Sequence, residues 1–124
     1  MQELTHFIGG EHVKGTSGRF ADVYNPATGQ QTGAVALASA DEVRDVIANA
    51  VAAQTAWGAT PPLRRDRVLF RFKDLIEQHH DRLAECITRE HGKTFSDAKG
   101  EVIRGLEVVE FACGIPHLIK GEYS

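Results

Sequence analysis

The amino-acid sequence predicts an α+β chain, with strands and turns over 1–38 followed by a helical part over 39–124. Three observations predict it. Phe7-Ile8 and His12-Val13 flank Gly9-Gly10, a pair that accepts the positive φ angles of a tight hairpin turn. Asn25-Pro26-Ala27-Thr28-Gly29 joins a fixed proline φ to a glycine exit, which is turn chemistry. Beyond residue 39 the apolar residues recur at helical rather than alternating spacing.

The elements follow in order. Lys14 to Gly18 is polar and reads as a loop, and Phe20 to Tyr24 alternates as a second strand. Val35 and Leu37 stand two apart on a third. Ser39 and Glu42 match a capping box, in which each side chain bonds the other's free backbone N–H. Val43, Val46, Ile47, Ala50, Val51 and Trp57 then keep helical spacing until Gly58. Thr60-Pro61 is expected to cap and open a second helix, since a proline at the first helical position loses no hydrogen bond. Its apolar stripe is Val68, Leu69, Phe72, Leu75 and Ile76. Asp81 is expected to cap a third helix, with Leu83, Ala84 and Ile87 inward and Gly92 as its stop. Ser96 is expected to cap a fourth, running to about Gly114 with Pro116 just past it. No linker rich in Pro, Gly or Ser divides the chain, so a single structural unit is expected.

The fourth helix carries two apolar stripes. Val102, Leu106, Val109 and Cys113 make one, and Val108, Phe111 and Ala112 make another, angularly displaced. Such a helix expects burial on more than one side. Covering both sides takes more protein than three shorter helices and a hairpin provide.

Composition narrows the function. A net charge of −3 gives no strong attraction to nucleic acid or to anionic membranes. No apolar run approaches the roughly 20 residues of a transmembrane helix, and the first residues do not read as a secretory signal. Cys86 and Cys113 are too few and too scattered for a disulfide framework, so a reducing cytoplasm is the expected compartment.

Candidate chemistry is sparse. Neither GxGxxG nor GxxxxGK[ST] occurs, and Glu90-His91-Gly92-Lys93-Thr94 has only the ending of a phosphate loop. It reads better as a glycine-terminated helix and a loop. Among His6, His12, His79, His80, His91 and His117 no helical ligand pair occurs, so no metal site is expected. Arg64, Arg65, Arg67 and Arg71 cluster, but Asp66 and Asp74 dilute their charge and no aromatic interleaves, which favours a solvated helix face. Both cysteines fall in or beside apolar stripes and read as core packing. Arg104 lies on the helix expected to be buried on two sides. It requires an anion there: an ion pair with Glu101, Glu107 or Glu110, or a ligand carboxylate gripped by two parallel hydrogen bonds.

Five segments in order resemble the N-terminal region of the aldehyde dehydrogenase superfamily. They are Phe7-Ile8-Gly9-Gly10-Glu11-His12-Val13, Asn25-Pro26-Ala27-Thr28-Gly29, Ala56-Trp57, Arg67-Val68-Leu69-Phe70 and Glu90-His91-Gly92-Lys93-Thr94. The run from Glu101 to Pro116, continued by Gly121-Glu122-Tyr123-Ser124, resembles the coenzyme A-acylating methylmalonate-semialdehyde dehydrogenases within it. The resemblance implies that 39–124 is the helical part of an NAD-binding domain within an α/β fold. It also implies a thiolate that attacks the aldehyde, hydride transfer to NAD, loss of the substrate carboxylate, and acyl transfer to coenzyme A. Methylmalonate semialdehyde would give propionyl-CoA and malonate semialdehyde acetyl-CoA. The family's nucleophile, NAD loop and oxyanion-hole asparagine lie downstream of this region, so neither Cys86 nor Cys113 inherits the catalytic role. In this branch an arginine of the GEVxRG segment helps bind the substrate carboxylate, and Arg104 matches it.

The expectation is therefore the N-terminal part of a longer oxidoreductase, inactive alone. Its partners would be the remainder of that enzyme, a semialdehyde acid and further copies in a homo-oligomer, with no nucleic acid and no membrane. The alternative is a stand-alone helical module that pairs with a full-length subunit.

Overall fold

Residues 2–122 are described in the structure, a computed structural model. Tyr123 and Ser124 of the last matching segment lie outside the described residues. The chain forms two compact units, the first up to Ala56 and the second from Trp57. The division between these units falls inside a helix.

The first unit holds five strands and most of one helix. Strands β1 (Gln2–Leu4), β5 (Gln31–Ala36) and β4 (Phe20–Tyr24) form one sheet in that order, with β1 parallel and β4 antiparallel to β5. Strands β2 (His6–Ile8) and β3 (Glu11–Val13) form the expected hairpin, and Gly9 and Gly10 take φ of 62° and 87°. The Asn25 to Gly29 turn also forms: the Asn25 carboxamide oxygen accepts the Ala27 N–H at 2.9 Å, and Gly29 has φ 70°. Two features differ from expectation. β1 carries no local signal, because its partner lies some thirty residues on. Leu37 falls just outside β5, and its N–H donates instead to the Arg19 carbonyl at 2.9 Å. Gly33 is where β1 comes closest: a Cβ there would stand 2.6 Å from the Gln2 carbonyl oxygen, so a side chain would force the parallel pair apart.

Helix α1 (Ala40–Ala59) starts at the expected capping box. The Ser39 N–H donates to Glu42 at 2.7 Å and the Glu42 N–H to the Ser39 hydroxyl at 3.2 Å. Glu42 has a further role: its other carboxylate oxygen accepts the Thr16 N–H at 2.6 Å, which ties the loop after β3 to the helix start. The helix passes through Gly58 rather than ending there, and Val43, Ile47, Val51 and Trp57 remain exposed.

The second unit is helical: α2 (Pro62–Gln78), α3 (His80–His91), α4 (Phe95–Cys113) and a short α5 (Ile115–Leu118). α4 packs against both α2 and α3. Its core is small. Ala84 on α3 and Ala98 on α4 are wholly buried beside Val102, with Ile76 and Ile87 packed around them. Three expected helix starts shift. α2 opens at Pro62 with Pro61 at the cap position and no side-chain cap, so Thr60 does not fill that role. α3 opens at His80, which puts Asp81 inside the first turn, where its charge favours the helix dipole without capping. α4 is capped by Thr94 rather than Ser96: the Thr94 hydroxyl accepts the Asp97 N–H at 3.3 Å. Gly92 ends α3 as expected, left-handed at φ 85°. The second apolar stripe of α4 is exposed, with Val108 and Phe111 each at 68%.

The two backbone hydrogen bonds pull the Glu42 carboxyl down from 4.5 to about 2. Because the folded value is depressed, its contribution to stability is present above pH 4.5 and is lost as pH falls toward 2. Denaturant unfolding followed over that interval should show stability falling with pH. Glu42→Gln should flatten that slope, and an equal slope in both proteins would remove Glu42 from this role.

Candidate functional site

The described residues hold no cluster suited to a metal ion, and no helix among them is long and apolar enough to cross a membrane. The residues with functional potential gather along the first half of α4 and the turn before it. Gly92 ends α3, the Gly92 N–H donates to the Thr88 carbonyl at 2.9 Å, and the chain turns through Lys93 into the Thr94 cap. This turn brings Lys93 beside Glu101, two helical turns into α4. Lys93 Nζ donates to Glu101 Oε1 at 2.9 Å, and Arg104 NH1 approaches the same oxygen at 3.4 Å.

Arg104 therefore has the Glu101 partner foreseen for it, but not the burial. Its side chain is 77% exposed, while that of Lys93 is only 22% exposed. The physical reason is its position on α4: Val102 faces α3, and Arg104 lies two residues on, turned well away from that contact. The hydrogen bond from Lys93 and the charges of Lys93 and Arg104 hold the Glu101 carboxyl below its ordinary range. Glu101 is thus an ionised, restrained acceptor beside an open guanidinium.

A second polar cluster links α3 to α4. Lys99 Nζ donates to Asp81 at 2.7 Å, and His80 lies between that carboxylate and the Lys99 carbonyl oxygen, at 3.3 and 3.2 Å. The hydrogen bond from Lys99 lowers the Asp81 carboxyl. His79 is exposed and His80 half-buried, so only the first fits the solvated junction expected for the pair.

The remaining candidates separate. Arg64, Arg67 and Arg71 are exposed along α2, but Asp66 between them is buried at 7% exposure, and its Oδ1 has no hydrogen-bond partner. Counting Asp66 as a surface charge was an error of helical phase. Gly92-Lys93-Thr94 follows a helix rather than a strand, and Lys93 and Thr94 are engaged with Glu101 and the α4 backbone, so no phosphate cradle forms. An open apolar groove of about 470 Å³ runs between α2, α3 and α4, lined by Phe72, Ile76, Leu83, Cys86, Leu106 and Val109 among others. Cys86 is half-buried on that groove, with the Arg89 guanidinium 3.6 Å from its sulfur. Cys113 is buried, and desolvation, followed by the nearby Asp66 and Glu110 carboxylates, pushes its thiol up. Among the described residues, the neighbours found for Cys86 and Cys113 are a guanidinium and carboxylates that disfavour a thiolate at Cys113, not an activating base.

The exposure difference sets the order of thiol modification. Cys86 should react first with a disulfide reagent and Cys113 slowly, with Cys113→Ser leaving the fast phase intact. Loss of the fast phase in that variant would reverse the assignment.

Comparison with known proteins places this geometry. The aldehyde dehydrogenase family pattern matches residues 12–124. The chain is 49% identical, over all its residues, to the malonate-semialdehyde dehydrogenase of Pseudomonas aeruginosa, and spans 25% of that protein. It is 43% identical to the human mitochondrial acylating methylmalonate-semialdehyde/malonate-semialdehyde dehydrogenase, over 94% of this chain and 22% of that protein. A Sinorhizobium meliloti 1021 protein named as a methylmalonate-semialdehyde dehydrogenase, crystallised with NAD, superposes with a TM-score of 0.96 at 52% identity, over all of this chain and 25% of that one. The chain thus spans about a quarter of the length of its relatives, and it belongs to the aldehyde dehydrogenase family.

Proposed function

We propose that these residues are the N-terminal part of an NAD-dependent, coenzyme A-acylating semialdehyde dehydrogenase acting on malonate or methylmalonate semialdehyde. In this reading Arg104 anchors the substrate carboxylate. The names of the relatives support the substrate class, and the word acylating in the human relative's name supports coenzyme A as acceptor. The observation that carries the role of Arg104 is its open guanidinium beside a single carboxylate oxygen, a donor set with bidentate capacity to spare. An anchor of this kind holds the substrate by the group that does not react, and so orients the aldehyde toward the nucleophile.

The Gly92-Lys93-Thr94 turn is engaged by Glu101 and the α4 backbone, which favours placing the NAD and coenzyme A sites elsewhere. In the longer enzyme those groups and the thiolate belong to other parts of the chain, which forms homo-oligomers in a reducing cytoplasm. The 124-residue chain alone should then give no aldehyde-dependent NAD reduction.

Arg104→Ala in the full-length enzyme should raise KM for the semialdehyde acid about tenfold or more, the loss expected for a charge-assisted hydrogen bond. KM for NAD should stay unchanged. An unaltered KM for the acid would remove Arg104 from substrate binding.

A further inference from the structure

We infer that Lys93 is a positioning residue for this anchor: it holds Glu101 so that Arg104 keeps both a fixed orientation and a net positive charge toward the substrate carboxylate. The inference rests on the carboxylate-anchor reading of Arg104 proposed above.

An arginine paired with one carboxylate is a poor trap for a second. The two charges cancel, and an incoming anion must compete with an acid on the same helix, one turn away. Lys93 changes this balance. Its Nζ takes Glu101 Oε1 at 2.9 Å, closer than the 3.4 Å of Arg104 NH1, so Glu101 is bound first to the lysine. With Lys93 present the three side chains carry one net positive charge, and without it Glu101 and Arg104 are neutral together. The site attracts an anion more strongly in the first case.

Orientation follows from the same contacts. Glu101 approaches Arg104 through NH1, which leaves the Nε–NH2 edge to grip two carboxylate oxygens side-on. A mostly exposed guanidinium on a long stem would otherwise sample many rotamers, and fixing it lowers the entropy cost of binding. Lys93 can serve as the fixed point because it is half-buried and its backbone is set by the left-handed Gly92 and the Thr94 cap.

The test is steady-state kinetics of the full-length enzyme, with Lys93→Met, Lys93→Arg and Arg104→Ala made in parallel. Lys93→Met should raise KM for the semialdehyde acid about three- to fivefold, the size expected for a partly exposed charge. Its kcat and its KM for NAD should stay within twofold, and Lys93→Arg should restore the acid KM. An unchanged acid KM in Lys93→Met overturns the inference. So does a parallel change in kcat and KM for NAD, which marks a merely structural lysine. If Lys93→Met has no effect while Arg104→Ala raises the acid KM, only the lysine role fails. If Arg104→Ala has no effect either, the anchor reading fails with it.

Discussion

The second unit depends on how closely α3 and α4 approach each other. Ala84 and Ala98 meet with no exposed surface, and Val102 and Ile87 pack beside them. Dense packing leaves no slack for added methylenes, and overfilling such a contact costs about 1–3 kcal/mol. Asp81 and Lys99 close the same interface at its polar edge. Together they fix the roll of α4 about its axis. That roll turns Val102 inward and leaves Arg104 in the open.

The same roll explains the apolar exposure of α4. α4 has its first stripe against α2 and α3, while Val108 and Phe111 stay uncovered, and α1 buries none of its residues. Exposed faces of this kind are what a helix carries when further elements pack on it. The polar contacts are mixed. Glu42 satisfies two backbone donors and Glu101 meets two cations, whereas buried His6 Nε2, Arg65 Nε, Asp66 Oδ1 and Thr88 Oγ1 have no hydrogen-bond partner.

What was legible in the sequence was local. Gly9-Gly10, the Asn25 to Gly29 turn, the Ser39–Glu42 box and Gly92 each carry their geometry within a few residues, and each formed as expected. The misses were of two kinds. Helix starts moved by one or two residues because a nearby hydroxyl or acid could equally be drawn as the cap, as with Thr94 against Ser96. Long-range partners were invisible: β1 pairs with β5, and Asp66 is buried by its phase on α2. At the site, Arg104 was visible through its motif, and Glu101 through its spacing on the same helix. Lys93 was not, because its approach to Glu101 depends on where the α3–α4 turn ends.

The central claim is that the middle of α4 presents a prepared guanidinium to a carboxylate. A crystal structure of the full-length enzyme with malonate bound tests it most directly. The account predicts a malonate carboxylate within about 3 Å of the Arg104 guanidinium, with Glu101 still held by Lys93. A carboxylate bound elsewhere, with Arg104 turned away from it, would contradict the account.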